Sequence, residues 1–358
     1  MQVAVDARWM QPGREGGIGR GIANLLPHLT PHVEVHLLTD ARLPPAVAGP
    51  PEHPLRAPWP ANATVWLQWS APRWLRSFDG AFHCPFYGLP YRQPVPMVVT
   101  IHDLTFEHHR AWFSRAAGAA FRVQARHAAR SAAAVLTVSQ HVREDIVGTY
   151  DVEPDRVLVA PNAVDPVFSP DRDAARTLDR LGVTAPYVVA LGGAPRRNSG
   201  LAVAAWRHYR ERGGDAGLVV VGARDLPDEP RLAGVGRLAD PQWADLLAGA
   251  EAFLYPTGYE GFGMPALESA ASGTPVLCAR VGALPEVLDD AAAWVEDLSR
   301  GELGPALAGL LSDPSRAAEL RERGLRRAAA APGWEHSAEV HLEAYRRAGN
   351  QAIRTTTP

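Results

Sequence analysis

The stretch Ala252-Phe253-Leu254-Tyr255-Pro256-Thr257-Gly258-Tyr259-Glu260-Gly261-Phe262-Gly263-Met264-Pro265-Ala266-Leu267-Glu268, running on to Ser269-Ala270-Ala271-Ser272-Gly273-Thr274-Pro275-Val276-Leu277-Cys278, decides the fold class. Residues 252–255 are a short apolar run and read as a buried strand. Pro265 suits the first turn of a helix, where its missing N–H costs nothing, so a helix is expected over 265–272. Gly273 ends it and Pro275 opens the next strand. Between strand and helix, Gly261 and Gly263 let the backbone approach a ligand with no Cβ in the way. The N–H groups of a helix start form a ready site for a diphosphate. Glu268 is placed in the first turn, where its charge favours the helix dipole and where it can accept from ribose hydroxyls. Glu260 can meet sugar hydroxyls or stabilise positive charge. Acidic residues near a helix start are also common without a ligand, and residue types alone leave the two readings even.

Strand, loop, helix and strand make one unit of a parallel sheet, and the pattern repeats along the chain. Val3–Val5 reads as a strand, followed by a loop with Gly13, Gly16, Gly17 and Gly19 and a helical pattern from Ile22. Further strands are expected at 33–38, 63–69, 81–84, 97–101, 134–138 and 157–160, with a helix over 114–130 that is rich in Ala and Arg. Pro44 to Pro60 reads as an irregular connection. The pattern resets near Pro166–Pro186, and new strands follow at 187–191, 218–221, 252–255, 275–278 and 292–295. Helices are expected near 199–211, 242–249, 265–272, 285–288, 301–311, 314–330 and 334–348, with a loose tail at 354–358. The reading is an α/β chain of two doubly wound, Rossmann-like domains, 1–170 and 171–333, with a last helix over 334–350 crossing back to the first. Such domains bind ligands beyond the carboxyl ends of their strands, so a cleft between the two is the place to search.

Composition agrees and excludes other classes. At 358 residues, two domains are the better expectation. The formal net charge is −3 and no basic block appears, which ranks nucleic-acid binding last. All 36 basic residues are Arg, so any basic phosphate contact uses Arg. Cys84 and Cys278 lack ligand-like neighbours and read as buried thiols. No metal-binding pair stands at a strand end, and Asp289-Asp290 reads as a solvated turn. With no signal peptide and no apolar run of spanning length, the sequence reads as cytoplasmic, able to meet the inner face of a membrane from its surface.

Residues 256–276 resemble the two-glutamate signature of the retaining, nucleotide-sugar-dependent glycosyltransferases of family 4 and group 1, which have the GT-B fold. Leu191-Gly192-Gly193-Ala194-Pro195-Arg196-Arg197-Asn198 resembles that family's donor-phosphate loop, with Arg197 where Lys is usual and Gly193 where some members carry a basic residue. Gly16-Gly17-Ile18-Gly19 resembles its glycine loop, and Thr100-Ile101-His102-Asp103 its strand-end His-Asp pair. Val138-Ser139 with His141, Pro161-Asn162-Ala163-Val164-Asp165, Gly282-Ala283-Leu284-Pro285-Glu286-Val287, and the ending with Trp334, Ala338 and Tyr345 extend the likeness over about 1–348. Ala163 replaces the usual glycine, and the weakest stretch is 40–95. The Ala-Pro-Arg-Arg-Asn loop and Glu-Gly-Phe-Gly look most like the mannosyltransferase branch.

The resemblance implies metal-independent hexose transfer, with no cofactor, from a GDP-mannose-like donor to a saccharide, glycolipid or small-molecule acceptor. It implies catalytic roles for His102, Glu260 and Arg197. The donor diphosphate and ribose would lie against Gly16, Gly17, Arg196, Arg197, Gly261, Phe262, Gly263 and Glu268, with Asp103, Ser139 and Asn162 as further candidates. Two other readings stay open: a nucleotide-sugar 2-epimerase on the same fold, and a non-catalytic nucleotide-sugar-binding protein. The aromatic stretch Trp59, Trp66, Trp69, Trp74, Phe78, Phe82, Phe86, Tyr87 and Tyr91 can line an acceptor or lipid groove, with at least half expected in the core. The helix near Arg110–Arg130 can face anionic lipid, and a solvated face is the plainer reading.

Overall fold

A computed structural model describes residues 1–11, 16–43, 49–59 and 62–356. Gly13 and part of the proline-rich connection, residues 44–48 and 60, lie outside them. The chain divides into two compact units, Met1–Ala163 with Pro332–Pro358, and Val164–Ala331.

The first unit holds strands β1 (Gln2–Asp6), β2 (Glu34–Thr39), β3 (Glu52–Pro54), β4 (Ala81–Cys84), β5 (Met97–Ile101), β6 (Ala134–Thr137) and β7 (Val157–Val159). Among the described residues they form one parallel sheet, in the order β3-β2-β1-β4-β5-β6-β7. Its helices are α1 (Gly17–Leu29), α2 (Ala63–Val65), α3 (Ala71–Leu75), α4 (Thr105–His108), α5 (Arg115–Ser131) and α6 (Gln140–Tyr150). Successive strand residues point to opposite faces. Thus Val99 and Ile101 pack with Ala125, Ala128 and Ala129 of α5, while Val98 lies in the other core with Ile22 and Leu25 of α1. Strands buried on both faces read as unbroken apolar runs, and all five residues of β5 are buried.

The second unit repeats the plan. Its helices are α7 (Ala175–Leu181), α8 (Ser199–Glu211), α9 (Asp240–Ala248), α10 (Met264–Ala271), α11 (Leu284–Leu288), α12 (Leu303–Leu311) and α13 (Pro314–Ala330). Its strands β8 (Tyr187–Leu191), β9 (Gly217–Val221), β10 (Leu232–Val235), β11 (Ala252–Tyr255), β12 (Val276–Ala279) and β13 (Ala292–Val295) lie in the order β10-β9-β8-β11-β12-β13. Helix α14 (Trp334–Thr356) then packs on the first unit's sheet, burying Ala338, Leu342 and Tyr345. It runs past the expected end, so residues 354–356 are helical, and 357–358 of the expected tail lie outside the described residues.

Residues 63–69 are helical, not a strand. Asn62 Oδ1 accepts from the Val65 amide at 2.9 Å and starts a helical path from α2 through a π-helical turn, Trp66–Ser70, into α3. The β-favouring Thr64, Val65 and Trp66 argue for a strand by propensity alone, and tertiary contacts override it. The Trp66 indole N–H donates to Leu55 O at 2.9 Å and Thr39 O at 3.2 Å, and its ring lies 3.9 Å from the Arg8 guanidinium. Helix α1 begins at Gly17, five residues before the helical pattern shows, because three glycines hide its first turn. Gly19 is required there: a Cβ would lie 2.1 Å from Trp9 O.

Candidate active site

In both sheets the chain reverses its direction of growth between two neighbours, β1 and β4 in the first, β8 and β11 in the second. The crevice beyond the carboxyl ends at such a point is where doubly wound sheets bind ligands. In the second unit the two loops concerned are 192–198, after β8, and 256–263, after β11. They are stitched together. Gly258 N donates to Arg196 O at 2.7 Å, and Asn198 Nδ2 donates to Pro256 O at 2.9 Å. Asn198 has a left-handed backbone (φ 48°), a conformation Asn tolerates better than most residues.

Both signature carboxylates are held inside this frame. Glu260 is buried, and its Oε1 accepts from the Tyr255 hydroxyl and from Arg196 Nε at 3.3 Å, with Thr257 Oγ1 3.4 Å away and sharing its one hydrogen with the nearer Tyr259 O at 3.1 Å. Burial, and then Glu260 itself, raises the Tyr255 phenol well above its usual range, so it stays a neutral donor. Glu260 O in turn accepts from Ala283 N at 2.9 Å. Gly282 permits that clasp: a Cβ there would sit 2.2 Å from Glu260 O. Glu268 lies in the second turn of α10, not the first, so a dipole argument at the first turn does not apply. It is almost fully buried, and its Oε2 accepts from Trp243 Nε1 at 2.8 Å. Phe262 is buried as well. Gly263 caps α10 at φ 97°, with Leu284 Cδ2 2.4 Å from where a Cβ would stand.

Arg197 Nη1 donates to Gly192 O at 2.6 Å. Its Nε is buried with no hydrogen-bond partner among the described residues. Burial lowers its pKa, Tyr255 and Glu260 oppose this, and the nearby arginines 196 and 237 add to it. A guanidinium remains charged throughout. This frame therefore holds a partly desolvated cation with a spare donor beside a second arginine. At the start of α10, Pro265 has no N–H and the Ala266 amide already donates to Gly263 O at 3.0 Å, so the helix start has few amides left to offer a ligand.

The first unit's candidates follow β1, β5, β6 and β7. Gly16 is the N-cap of α1 and Gly17 its first residue, with open space where a Cβ of Gly17 would go. His102 follows β5, and its Nε2 lies 3.0 Å from Pro85 O. A carbonyl only accepts, so Nε2 carries the proton and Nδ1 the lone pair. Burial lowers the His102 pKa, which keeps the ring neutral. Three further candidates have these surroundings. Asp103 Oδ1 accepts from Thr105 N at 3.0 Å and Thr105 Oγ1 at 2.6 Å, opening α4. Ser139 is completely buried, and its Oγ accepts from Val142 N at 3.2 Å as the cap of α6. Asn162 is half-buried against Gly21 of α1. Sequence reasoning missed Tyr255, Thr257, Trp243 and Asn198; only Asn198, directly after the two arginines, carried a signal.

Residues 15–168 match the family model described as Glycosyltransferase Family 4, and residues 185–313 match that of Glycosyl transferases group 1. The alpha-maltose-1-phosphate synthase of Mycolicibacterium smegmatis is 29% identical over 97% of this chain and 99% of its own length. The MMP alpha-(1->4)-mannosyltransferase of Mycolicibacterium hassiacum is 34% identical over 62% of this chain and 55% of its own length. The solved sucrose-phosphate synthase from Thermosynechococcus elongatus superposes with a TM-score of 0.74 at 18% identity, covering 99% of this chain and 100% of that one, a likeness of fold. With two α/β units of this topology and both family matches, the chain belongs to the nucleotide-sugar-dependent glycosyltransferases of family 4 and group 1, enzymes of the GT-B fold.

Proposed function

We propose that the protein transfers a hexose from a nucleotide diphosphate sugar, GDP-mannose first among donors, to a hydroxyl of a saccharide, glycolipid or small-molecule acceptor, retaining the anomeric configuration and using no metal ion. The observation that carries this reading is the buried, unpartnered Nε of Arg197 beside Arg196. An anion there satisfies the donor and relieves the repulsion between the arginines. Arg196 and Arg197 supply the positive charge that a metal would otherwise bring. The mannosyl preference rests on the Ala194–Asn198 loop and on the relative named as a mannosyltransferase.

As the bond from C1 to the diphosphate oxygen breaks, negative charge grows on the leaving group and positive charge on the sugar. Arginine stabilises the first, and loss of one such donor costs roughly 3 kcal/mol of activation free energy. The acceptor oxygen attacks C1 on the face the diphosphate leaves, and its proton passes to a leaving phosphate oxygen. Glu260, with Oε1 held by the Tyr255 hydroxyl and Arg196, acts as a fixed binding group and counter-charge for the sugar. Glu268, braced by Trp243, takes ribose hydroxyls. His102 Nδ1 accepts from a sugar hydroxyl and takes no part as the base.

The test is isothermal binding of GDP-, UDP-, ADP- and dTDP-sugars, each with and without Mg²⁺, against an Arg197→Ala control. One donor family binding selectively, without metal and dependent on Arg197, supports the reading. Absence of binding across the panel sinks the donor site. Turnover with an acceptor, followed by NMR of the product's anomeric centre, separates retention from inversion, and nucleotide release without an acceptor would favour the epimerase.

A further inference from the structure

Behind His102 the first unit buries a polar cluster that the transfer chemistry does not use. His83 on β4, Thr100 on β5, and His341 and Tyr345 on α14 are all buried. His83 Nε2 lies 2.8 Å from Thr100 Oγ1, and His83 Nδ1 lies 2.9 Å from the Tyr345 hydroxyl. One imidazole thus joins two neighbouring strands to the helix packed across them. Its centroid is 5.6 Å from the Tyr345 ring and 5.5 Å from the His341 ring, and His341 Nδ1 donates to Ser337 O at 2.7 Å. Burial lowers the pKa of both histidines, and His102 stands near enough to oppose a charge on either. Aliphatic side chains would fill the contact between β4 and α14 without the desolvation cost of these groups.

The cluster sits under the place where His102 is set. Thr100 precedes His102 by two residues, and His83 precedes Pro85 by two, so each pair tends to one face of its strand. The ladder between β4 and β5 ends at Cys84 and Val99. Beyond it, the bond from His102 Nε2 to Pro85 O at 3.0 Å spans the gap between the two chain segments. The contact of His83 with Thr100 ties the strands together just before they part. We infer that Tyr345 is a positioning residue for His102. Its hydroxyl holds His83 against Thr100, which sets Pro85 O at the distance that keeps the His102 ring turned with Nδ1 free for the donor sugar. Phenylalanine would fill the same space among Ala338 and Leu342, but would leave His83 Nδ1 buried and unpaired. Helix α14 thereby serves the reaction without touching a substrate. The inference rests on the reading of His102 as a contact of the transferred sugar.

The experiment measures the affinities of the full chain for GDP and GDP-mannose, and for UDP and UDP-glucose, by calorimetry. His102 is placed against the sugar, so the ratio of nucleotide-sugar to nucleotide affinity reports its stance. His102→Ala should lower that ratio about tenfold, as for one lost hydrogen bond. Tyr345→Phe and Thr100→Val should each lower it about threefold, with the affinity for the bare nucleotide unchanged, and neither should have an effect in the His102→Ala background. Thr100→Ser, which keeps the hydroxyl, should restore the parent ratio. In spectra of ¹⁵N-labelled histidine, His102 of the parent should carry its proton on Nε2, and Tyr345→Phe should show a mixture of tautomers. Absence of binding by both pairs, or a ratio unmoved by His102→Ala, would overturn the reading of His102 and this inference with it. A ratio that falls with His102→Ala while Tyr345→Phe and Thr100→Val leave ratio and tautomer as in the parent would overturn the inference alone. Equal losses for nucleotide and nucleotide-sugar would do the same, since they mark a general loosening of the fold. Should Tyr345→Phe fail to fold, Thr100→Val and Thr100→Ser decide the matter by the same ratio.

Discussion

Tyr255→Phe removes one oxygen from the core of the second unit and tests how Glu260 is held. The phenol is 1% exposed, and its hydroxyl donates to Glu260 Oε1. Phenylalanine keeps the ring stacked on Phe253, whose centroid is 5.0 Å away, so packing changes little. Arg196 Nε at 3.3 Å remains on Oε1, and Thr257 Oγ1 at 3.4 Å shares its one hydrogen with Tyr259 O at 3.1 Å, so both contacts are weak. A hydrogen bond to a charged group contributes about 1.5–3 kcal/mol, so the variant should lose about 2 kcal/mol of stability in the second unit. If Glu260 is fixed for chemistry, kcat/KM should also fall about tenfold, which corresponds to about 1.4 kcal/mol of transition-state stabilisation. Thr257→Val should cost less on both counts. The assay is urea unfolding, read on the second unit's transition, together with steady-state transfer kinetics for Tyr255→Phe, Glu260→Gln and the double variant. Coupling of at least about 1 kcal/mol is expected between two contacting residues. Additive effects, or a Tyr255→Phe variant within about 0.5 kcal/mol of the parent and fully active, would refute the claim that this hydroxyl holds the carboxylate.

Arg197→Ala should weaken donor binding by roughly ten- to a hundredfold by calorimetry, as expected for one lost charge-assisted contact; an unchanged affinity would remove Arg197 from the site. Burial lowers the pKa of His341 to about 4 and that of His83 well below its usual value, so the folded state stays neutral where the unfolded chain takes up protons. Stability is therefore complete above about pH 6.5 and lost as pH falls toward 4; His341 alone accounts for about 2 kcal/mol by pH 5, and His341→Gln should flatten urea-unfolding data between pH 7.5 and 5. Gly263→Ala places a Cβ 2.4 Å from Leu284 Cδ2 at φ 97°, and should cost about 1–3 kcal/mol with weaker donor binding. Adding Leu284→Ala should relieve the contact and leave the backbone strain, so full recovery would show that only the contact mattered.

The sheets were legible because their signal is local. Runs such as Tyr187–Leu191 and Ala252–Tyr255 are apolar throughout, bounded by glycine or proline, and become strands buried on both faces. The edge strands β3 and β10 were not legible: Glu52-His53-Pro54 has no apolar run, and Leu232–Val235 is only partly buried. The 63–75 segment misled for the opposite reason, since its β-favouring residues obey a capping asparagine and a buried tryptophan whose acceptors lie 11 and 27 residues away. The same distance effect hid the support of the site. Glu260 and Glu268 stand out through the glycines and proline around them. The donors that fix them come from 5, 25 and 64 residues away, with no spacing rule to betray them.

The substitution of arginine for the lysine usual at position 197 becomes intelligible in this frame. A lysine presents three donors on one nitrogen, and a bond to the loop carbonyl would pull that nitrogen from any ligand. A guanidinium separates its donors. Arg197 uses Nη1 on Gly192 O, which fixes the side chain across the end of β8, and keeps Nε buried and unmatched. The anchoring bond costs the ligand little entropy, because the side chain is already ordered. It also explains why Gly193 needs no charge of its own: Arg196, three residues on, is tied through Glu260 to the loop after β11, so loop 192–198 holds two positive charges in a fixed relation to it. On this argument Arg197→Lys keeps the charge and loses the anchor. Its affinity for a nucleoside diphosphate should fall between those of the parent and Arg197→Ala, and a variant that binds as tightly as the parent would show that charge alone, not the divided fork, defines the site.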